Sequence, residues 1–170
     1  MTARRRLLNS TLARKLALLV LDVDGVLTDG SLYFSAAGES LKRFHVRDGH
    51  GIKLLQRAGI AVAVISGRRS KAVSLRCREL GIRHLYQGVD DKTQALDRLL
   101  DRLHLTSDRV ICVGDDTPDI PLFLRTAYSV AVRDAHPLAR SAAHRSTKLA
   151  GGHGAVREVC DWLLQARGVA

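Results

Sequence analysis

The chain has 170 residues, 46% of them hydrophobic, a size and composition that exclude a disordered chain and predict a single globular domain over residues 1–170. Its longest apolar stretch, near residues 16–21, is far shorter than the roughly 20 residues that a membrane helix needs, so no membrane partner is expected. The formal net charge is +10, but the positive charges are spread along the chain and only 4% of residues are aromatic, which argues against a nucleic-acid partner. Residues 1–6 are basic without the apolar segment of a secretion signal, so we expect a cytoplasmic location.

Apolar runs typical of strands alternate with helical patterns along the chain. Strands are predicted at residues 18–23, 61–65, 84–86, 109–113 and 129–132, and helices at residues 48–58, 71–80, 92–103, 120–124 and 155–166. The strand segments are continuously apolar, which is typical of strands that are covered on both faces. The fold class expected is therefore α/β: a doubly wound, Rossmann-like parallel sheet with helices on both faces.

One segment after the first strand interrupts this alternation. Residues 31–34 and 41–46 have the pattern of two short strands, joined by a linker that contains Gly38. We therefore predict a β-hairpin over residues 31–46 that projects near the carboxyl end of the first strand.

Carboxylates follow two of the predicted strands. Asp22 and Asp24 come at the end of the first, and Asp115, Asp116 and Asp119 follow the fourth. Ligands of doubly wound sheets bind at the carboxyl ends of the strands, so four or five carboxylates converge there if these two strands are neighbours. A single DxD pattern is as often a turn or a helix cap, but two acidic clusters after apolar runs favour a cation site. The hard oxygen ligands indicate Mg²⁺ rather than zinc.

Two further strand-end positions suit a phosphoryl group. The second strand is followed by Ser66 and Gly67, a hydroxyl and a glycine that can hold a phosphoryl oxygen. Lys92 begins a predicted helix, where the helix dipole disfavours a cation unless the cation faces an anion. Taken singly, Ser66 is an ordinary turn residue and Lys92 an ordinary surface charge. Beside the acidic clusters, both become candidate site residues.

On these residues the chain resembles the haloacid dehalogenase superfamily. The resemblance is carried by four motifs in order: DVDGVLTDG, ISGR, the downstream Lys92 and GDDTPD. Further segments, among them GSLYFSAAGESLKRFHVRDGHGIKLLQRAGI and GGHGAVREVCDWLL, are similar to the capless branch that contains the 3-deoxy-D-manno-octulosonate 8-phosphate phosphatases. The similarity covers residues 15–165 and implies a phosphatase without a cap domain.

The resemblance implies roles for the acidic residues. Asp22 is the implied nucleophile, which forms an aspartyl-phosphate, and Asp24 the general acid and base. Mg²⁺ is then held by the side chain of Asp22, the backbone carbonyl of Asp24 and the side chain of Asp115. Asp116 or Asp119 is expected to orient the groups around the metal.

The resemblance also implies how the substrate is held. Ser66, the backbone of Gly25, Gly67 and Lys92 are expected to bind the phosphoryl oxygens, and Lys92 also restrains the nucleophile. Arg68, which follows the serine–glycine turn, is the first candidate for binding a carboxylate on the sugar.

The implied reaction is hydrolysis of a small anionic sugar phosphate, 3-deoxy-D-manno-octulosonate 8-phosphate, in lipopolysaccharide core biosynthesis. A phosphatase of a nonulosonic or other small sugar phosphate, and a non-catalytic oligomerisation or regulatory module, remain as alternatives on the same scaffold. The resemblance further implies a homotetramer whose hairpins, residues 31–46, assemble together. The apolar Leu32, Phe34, Leu41 and Phe44 suit that arrangement.

Overall fold

The computed structural model describes residues 8–169, in which strands and helices alternate. The strands are β1 (Leu18–Leu21), β2 (Tyr33–Ser35), β3 (Gly38–Leu41), β4 (Ala61–Ser66), β5 (His84–Gln87), β6 (Val110–Gly114), β7 (Tyr128–Ala131) and β8 (Arg145–Ser146). The helices are α1 (Ser10–Lys15), α2 (Val46–Arg57), α3 (Lys71–Glu79), α4 (Lys92–Leu103), α5 (Ile120–Arg125), α6 (Pro137–Ala142) and α7 (Ala155–Arg167). Short 3₁₀ helices at Ser107–Arg109 and Thr117–Asp119 precede β6 and α5.

Six of the strands form one parallel sheet in the order β5-β4-β1-β6-β7-β8, with β1 near its middle. The last residue of β1, Leu21, pairs with Val64 of β4 on one side and with Val113 of β6 on the other. Every residue of β1 is buried, as expected for a strand that is covered on both faces. The carboxyl ends of β4, β1 and β6 therefore lie side by side, and the predicted doubly wound parallel sheet is confirmed.

Helices cover both faces of this sheet. On one side α2 and α1 pack against α7, and α5 packs between α4 and α6 in the second group. In α4, whose bounds coincide with the prediction, Leu96, Leu99 and Leu100 have the spacing of one helical face and are buried. Among the described residues, no helix combines the length and the apolarity needed to cross a bilayer.

The hairpin differs from the prediction in its second strand. β2 and β3 are joined by a two-residue turn, after which Gly38 takes a φ of +102°. Strand β3 ends at Leu41, so the predicted strand over residues 41–46 is wrong beyond that residue. After Leu41 the side chain of Lys42 is buried against Asp24, and the chain then enters α2 at Val46.

Three short elements, α1, α6 and β8, lie outside the sequence prediction. None exceeds six residues, which is too few for hydrophobic periodicity to distinguish them from loops. Local and long-range contacts stabilise them instead. The side chain of Asn9 accepts a hydrogen bond from the backbone amide of Leu12 at 2.8 Å and so caps α1, and Ser146 of β8 pairs with Ala131 of β7.

Candidate active site

Three carboxylates meet at the carboxyl ends of β1 and β6. Asp22 follows β1, Asp115 follows β6, and Asp119 ends the 3₁₀ helix before α5. One oxygen of each lies within 4.8 Å of the others, and this is the one group among the described residues that has the arrangement of a metal site. Of the four or five carboxylates that the sequence predicted at this edge, Asp22, Asp115 and Asp119 have this arrangement, whereas the side chain of Asp24 pairs with Lys42. The carboxylate of Asp116 caps the 3₁₀ helix and accepts from the backbone amide of the next residue at 2.7 Å.

A buried lysine faces these carboxylates from the start of α4. Lys92 Nζ lies 3.0 Å from Asp22 Oδ1 and 2.7 Å from Asp119 Oδ1. The second oxygen of Asp119 accepts hydrogen bonds from the backbone amides of Asp115 at 2.9 Å and Asp116 at 3.4 Å. Asp119 therefore ties the lysine to the loop that carries Asp115, and its side chain is almost fully buried.

The three carboxylates and Lys92 together carry more negative than positive charge when the carboxylates are ionised. Burial raises the pKa of Asp22 to about 6, although the attraction of Lys92 opposes the shift. Burial, together with the charges of Asp22 and Asp119, raises the pKa of Asp115 to about 8. Burial disfavours the ammonium form of Lys92, but the two carboxylates that it contacts outweigh burial and raise its pKa. One lysine facing three carboxylates, all of them hard oxygen donors, fits a divalent cation such as Mg²⁺.

Glycines allow the site loops to approach these carboxylates closely. Gly25 has a φ of +83°, and a Cβ at this position would overlap the carboxylate of Asp115. A Cβ at Gly114 would likewise overlap the carboxylate of Asp119. Gly151 packs against the carbonyl oxygen of Gly25, where a side chain has no room. The sequence analysis did not assign Gly114 or Gly151, and the GDD and GGHG glycine patterns were the available signals.

The serine–glycine turn lies beside the carboxylates, at the end of the neighbouring β4. Ser66 is the last residue of the strand and is buried, and its hydroxyl accepts from the backbone amide of Arg68 at 3.3 Å. Gly67 is exposed, and an added Cβ would make only an ordinary contact at 3.6 Å with the carbonyl oxygen of Val89. Arg68 Nε lies 3.5 Å from Asp24 Oδ2, which places the guanidinium over the site.

Two hairpin residues that the sequence analysis missed also reach the site. The ammonium of Lys42 contacts Asp24 Oδ1 and lies 3.1 Å from Glu39 Oε2. Glu39 in turn accepts from Ser70 Oγ at 2.5 Å and from Arg68 Nη2 at 3.3 Å. Burial acts to raise the pKa of Glu39, but these three donors outweigh it and lower that pKa. No local sequence signal marks a lysine in a short exposed hairpin as buried.

Comparison with known proteins places this site in a class. A family model described as haloacid dehalogenase-like hydrolase matches residues 85–158, the segment that includes Lys92, Asp115 and Asp119. The curated 3-deoxy-D-manno-octulosonate 8-phosphate phosphatase KdsC of Escherichia coli (strain K12) is 51% identical over 156 residues, which cover 92% of this chain and 83% of that protein. The phosphatase of the same name from Salmonella typhi is 51% identical over 158 residues, or 93% of this chain and 84% of that protein. The chain therefore belongs to the haloacid dehalogenase-like hydrolases, in the family of the 3-deoxy-D-manno-octulosonate 8-phosphate phosphatases.

Solved structures agree with this assignment. The phosphatase of that name from Yersinia pestis superimposes with a TM-score of 0.91 at 48% identity, over 94% of this chain and 86% of that one. The Moraxella catarrhalis phosphatase, described as a complex with a magnesium ion, a phosphate ion and a KDO molecule, has a TM-score of 0.90 at 37% identity, over 94% of this chain and 91% of that one.

Proposed function

We propose that this chain hydrolyses 3-deoxy-D-manno-octulosonate 8-phosphate to the free sugar acid and phosphate, with Mg²⁺ as cofactor, as a step in lipopolysaccharide core biosynthesis. The observation that carries the proposal is the buried lysine that faces three carboxylates at the carboxyl ends of β1 and β6. The high identity to curated phosphatases of this substrate supports the choice of sugar.

In the proposed reaction Asp22 is the nucleophile. One of its carboxylate oxygens bonds to phosphorus as the bond between phosphorus and the sugar oxygen breaks, which leaves an aspartyl-phosphate and a departing sugar alkoxide. Asp24 donates a proton to that alkoxide. Asp24 then takes a proton from the water that attacks phosphorus, and this second step releases phosphate and regenerates Asp22.

The carboxylates of Asp22 and Asp115 and the backbone carbonyl of Asp24 would hold Mg²⁺, whose charge offsets the repulsion between nucleophile and phosphate. Asp119 would orient this group through the backbone amides that it accepts from, one of which belongs to Asp115. Because the carboxylate of Asp116 caps the 3₁₀ helix, we assign the orienting role to Asp119 alone.

The remaining predicted residues would hold the phosphoryl group and the sugar. Lys92, the hydroxyl of Ser66 and the backbone amides of Gly25 and Gly67 can donate to phosphoryl oxygens, and Lys92 keeps its 3.0 Å contact with the nucleophile. Arg68 is about half-exposed above the site, where its guanidinium can pair with the carboxylate of the sugar.

The proposal is tested by phosphate release from a panel of sugar phosphates, with Mg²⁺ and with EDTA. The panel contains the octulosonate 8-phosphate, a nonulosonate 9-phosphate and simple hexose phosphates, and Asp22→Asn is compared with the wild type. Asp161→Asn is a matched control, since this exposed carboxylate is paired with Arg157 on α7. We expect a strong preference for the octulosonate that EDTA and Asp22→Asn abolish and the control retains. A preference for another sugar phosphate would change the proposed substrate but keep the proposed reaction. A folded, Mg²⁺-binding protein that releases no phosphate from any member of the panel would contradict the proposal.

We further propose that the hairpin, residues 31–46, assembles four copies of the chain. Its large apolar side chains are exposed in the single chain: Leu32 by 47%, Tyr33 by 40%, Phe34 by 63% and Leu41 by 51%. Large apolar side chains that are exposed to this extent on one short hairpin are costly in water unless a partner covers them. Light scattering of the wild type and of Phe34→Ser tests this, and a monomeric wild type would contradict it.

We also propose a cytoplasmic location. All three cysteines, Cys77, Cys112 and Cys160, are buried and unpaired, as is typical of a reducing compartment. Cell fractionation with an antibody against the chain tests this proposal, and recovery in the periplasmic fraction would contradict it.

A further inference from the structure

The hairpin buries one charged side chain within the site. Lys42 directly follows β3, and its side chain is only 1% exposed. Lysine is almost never buried to this extent unless its charge is paired. Here two carboxylates pair with it: Asp24 Oδ1, in direct contact, and Glu39 Oε2 at 3.1 Å.

We propose that Lys42 is a positioning residue for Asp24. By holding Oδ1, the ammonium leaves the second oxygen, Oδ2, as the one that faces outward to the substrate. Arg68 Nε lies 3.5 Å from Oδ2, on the side where the sugar is proposed to bind. The inference rests on the proposed role of Asp24 as the proton donor to the sugar oxygen, and it assigns that donor's orientation to a hairpin residue 18 positions away in sequence.

Glu39 keeps the lysine itself in place. Its carboxylate accepts from Ser70 Oγ at 2.5 Å and from Arg68 Nη2 at 3.3 Å, so it connects the hairpin to the segment between β4 and α3. The ammonium of Lys42 is therefore held by two carboxylates, that of Glu39 in the hairpin and that of Asp24 in the site. Restraint of this kind fixes a catalytic side chain to within a few tenths of an ångström, which proton transfer requires.

A positioning role of Lys42 and direct substrate binding by Lys42 predict different kinetics. An ammonium has three donors, and two of those of Lys42 are directed at Asp24 and Glu39. Loss of a substrate ligand raises KM, whereas loss of a residue that orients the acid lowers kcat. The loss of kcat/KM should also depend on the leaving group, because an ester whose leaving group departs without a proton has little need of the acid. The comparison uses kcat/KM because this quantity excludes the second step, in which Asp24 acts as the base for both esters alike.

The test compares Lys42→Met, Lys42→Arg and the control Arg43→Met on two esters, the octulosonate 8-phosphate and p-nitrophenyl phosphate. Arg43 is the next residue, and its half-exposed guanidinium donates to the loop carboxylate of Asp29 at 2.9 Å. For Lys42→Met we expect kcat on the sugar phosphate to fall at least about tenfold, with KM changed less than about threefold. The loss of kcat/KM on the aryl ester should be much smaller than that on the sugar phosphate. Lys42→Arg should recover part of the loss, and Arg43→Met should retain activity. In an Asp24→Asn background, Lys42→Met should cause no further loss.

Equal losses of kcat/KM on both esters, a change in KM alone, or wild-type kcat in Lys42→Met would overturn the inference. A wild type that hydrolyses neither ester would contradict the proposed function itself. In that case the contact between Lys42 and Asp24 is tested by hydrogen exchange, which does not depend on activity. Backbone hydrogen exchange over residues 38–45 should become faster in Lys42→Met and in Asp24→Asn, and stay unchanged in Arg43→Met. Unchanged exchange in the first two variants would show that the Lys42–Asp24 contact does not hold the hairpin to the site.

Discussion

Asp119 offers a sharp test of the carboxylate site, because removal of its charge should have little effect without a metal and a clear effect with one. Its carboxylate lies within 4.8 Å of oxygens of Asp22 and Asp115, and 2.7 Å from Lys92 Nζ. At an effective dielectric constant of about 20, the repulsion of Asp119 by Asp22 or by Asp115 at 4.8 Å is roughly 3.5 kcal/mol each. The attraction between Asp119 and Lys92 at 2.7 Å is roughly 6 kcal/mol. Two repulsions nearly cancel one attraction. At pH 9, where folded-state pKa values of about 6 and about 8 leave Asp22 and Asp115 ionised, we therefore expect Asp119→Asn to change the free energy of unfolding of the metal-free protein by no more than about 2 kcal/mol.

In Mg²⁺ the same substitution should be costly, because a group that orients metal ligands typically contributes 10- to 100-fold in metal affinity. At a Mg²⁺ concentration about a hundred times the wild-type Kd, binding stabilises the wild type by about 2.7 kcal/mol and a tenfold weaker variant by about 1.4 kcal/mol. For a protein of this size, the difference lowers the Mg²⁺-induced rise in Tm by about 3–5 °C.

The assay is thermal unfolding of the wild type and Asp119→Asn, in EDTA and in Mg²⁺. Asp97→Asn is the matched control, because it removes the same charge from an exposed carboxylate that pairs with Arg125 on the surface. A loss above about 4 kcal/mol in EDTA would mean that the lysine attraction dominates and would refute the cancellation. An undiminished response to Mg²⁺ would remove Asp119 from the metal's surroundings.

Three further outcomes follow from the same contacts. In EDTA the Tm should fall as pH rises from about 5 to about 9. The folded-state pKa values, about 6 for Asp22 and about 8 for Asp115, exceed the unfolded values, so the folded state binds these protons more tightly and its free energy of unfolding decreases as the two groups ionise. Mg²⁺ should remove most of this slope. Gly25→Ala should abolish both phosphate release and the Mg²⁺ response, because its Cβ would overlap the carboxylate of Asp115 and its backbone holds a φ of +83°. Asp48→Ala should cost about 1–3 kcal/mol in urea unfolding, because this buried carboxylate accepts from the amide of Arg157 at 2.8 Å and so joins α2 to the first turn of α7.

Each of these three outcomes has a control variant or a result that would contradict it. A flat Tm profile in EDTA would show that the two carboxylates do not carry the pH dependence. Gly38→Ala matches the backbone strain of the Gly25 variant, with a φ of +102° and open space around the Cβ, and it should keep its response to Mg²⁺. Asp48→Asn retains an acceptor oxygen, so a loss equal to that of the alanine variant would contradict the assigned hydrogen bond.

Local sequence patterns were sufficient to predict much of the fold and many of the candidate site residues. Strand and helix periods are properties of neighbouring residues, so the order of elements and the bounds of α4 could be predicted without a structure. Parallel strands share one carboxyl edge, so Asp22 and Asp115 were predicted to converge if their strands are neighbours. The structure supplies that condition, because β1 pairs with β6 on one side and with β4, which carries Ser66, on the other. The position of Lys92 at a helix start was also informative, because the helix dipole disfavours a cation there.

The tertiary structure decided what each side chain faces. Asp116 and Asp119 are three residues apart, yet the turn of the 3₁₀ helix makes one a solvent-facing cap and buries the other against Lys92. The burial of Lys42 is a long-range result as well, since it depends on where the hairpin lies relative to Asp24. Hydrophobic periodicity indicates the conformation of a segment, and strand order indicates which segments are its neighbours. The direction of a charged side chain is set instead by the sum of its contacts with residues distant in sequence. For that reason the sequence by itself determined the sheet and the acidic strand ends, and only the packed chain determined how the hairpin and Asp119 complete the site.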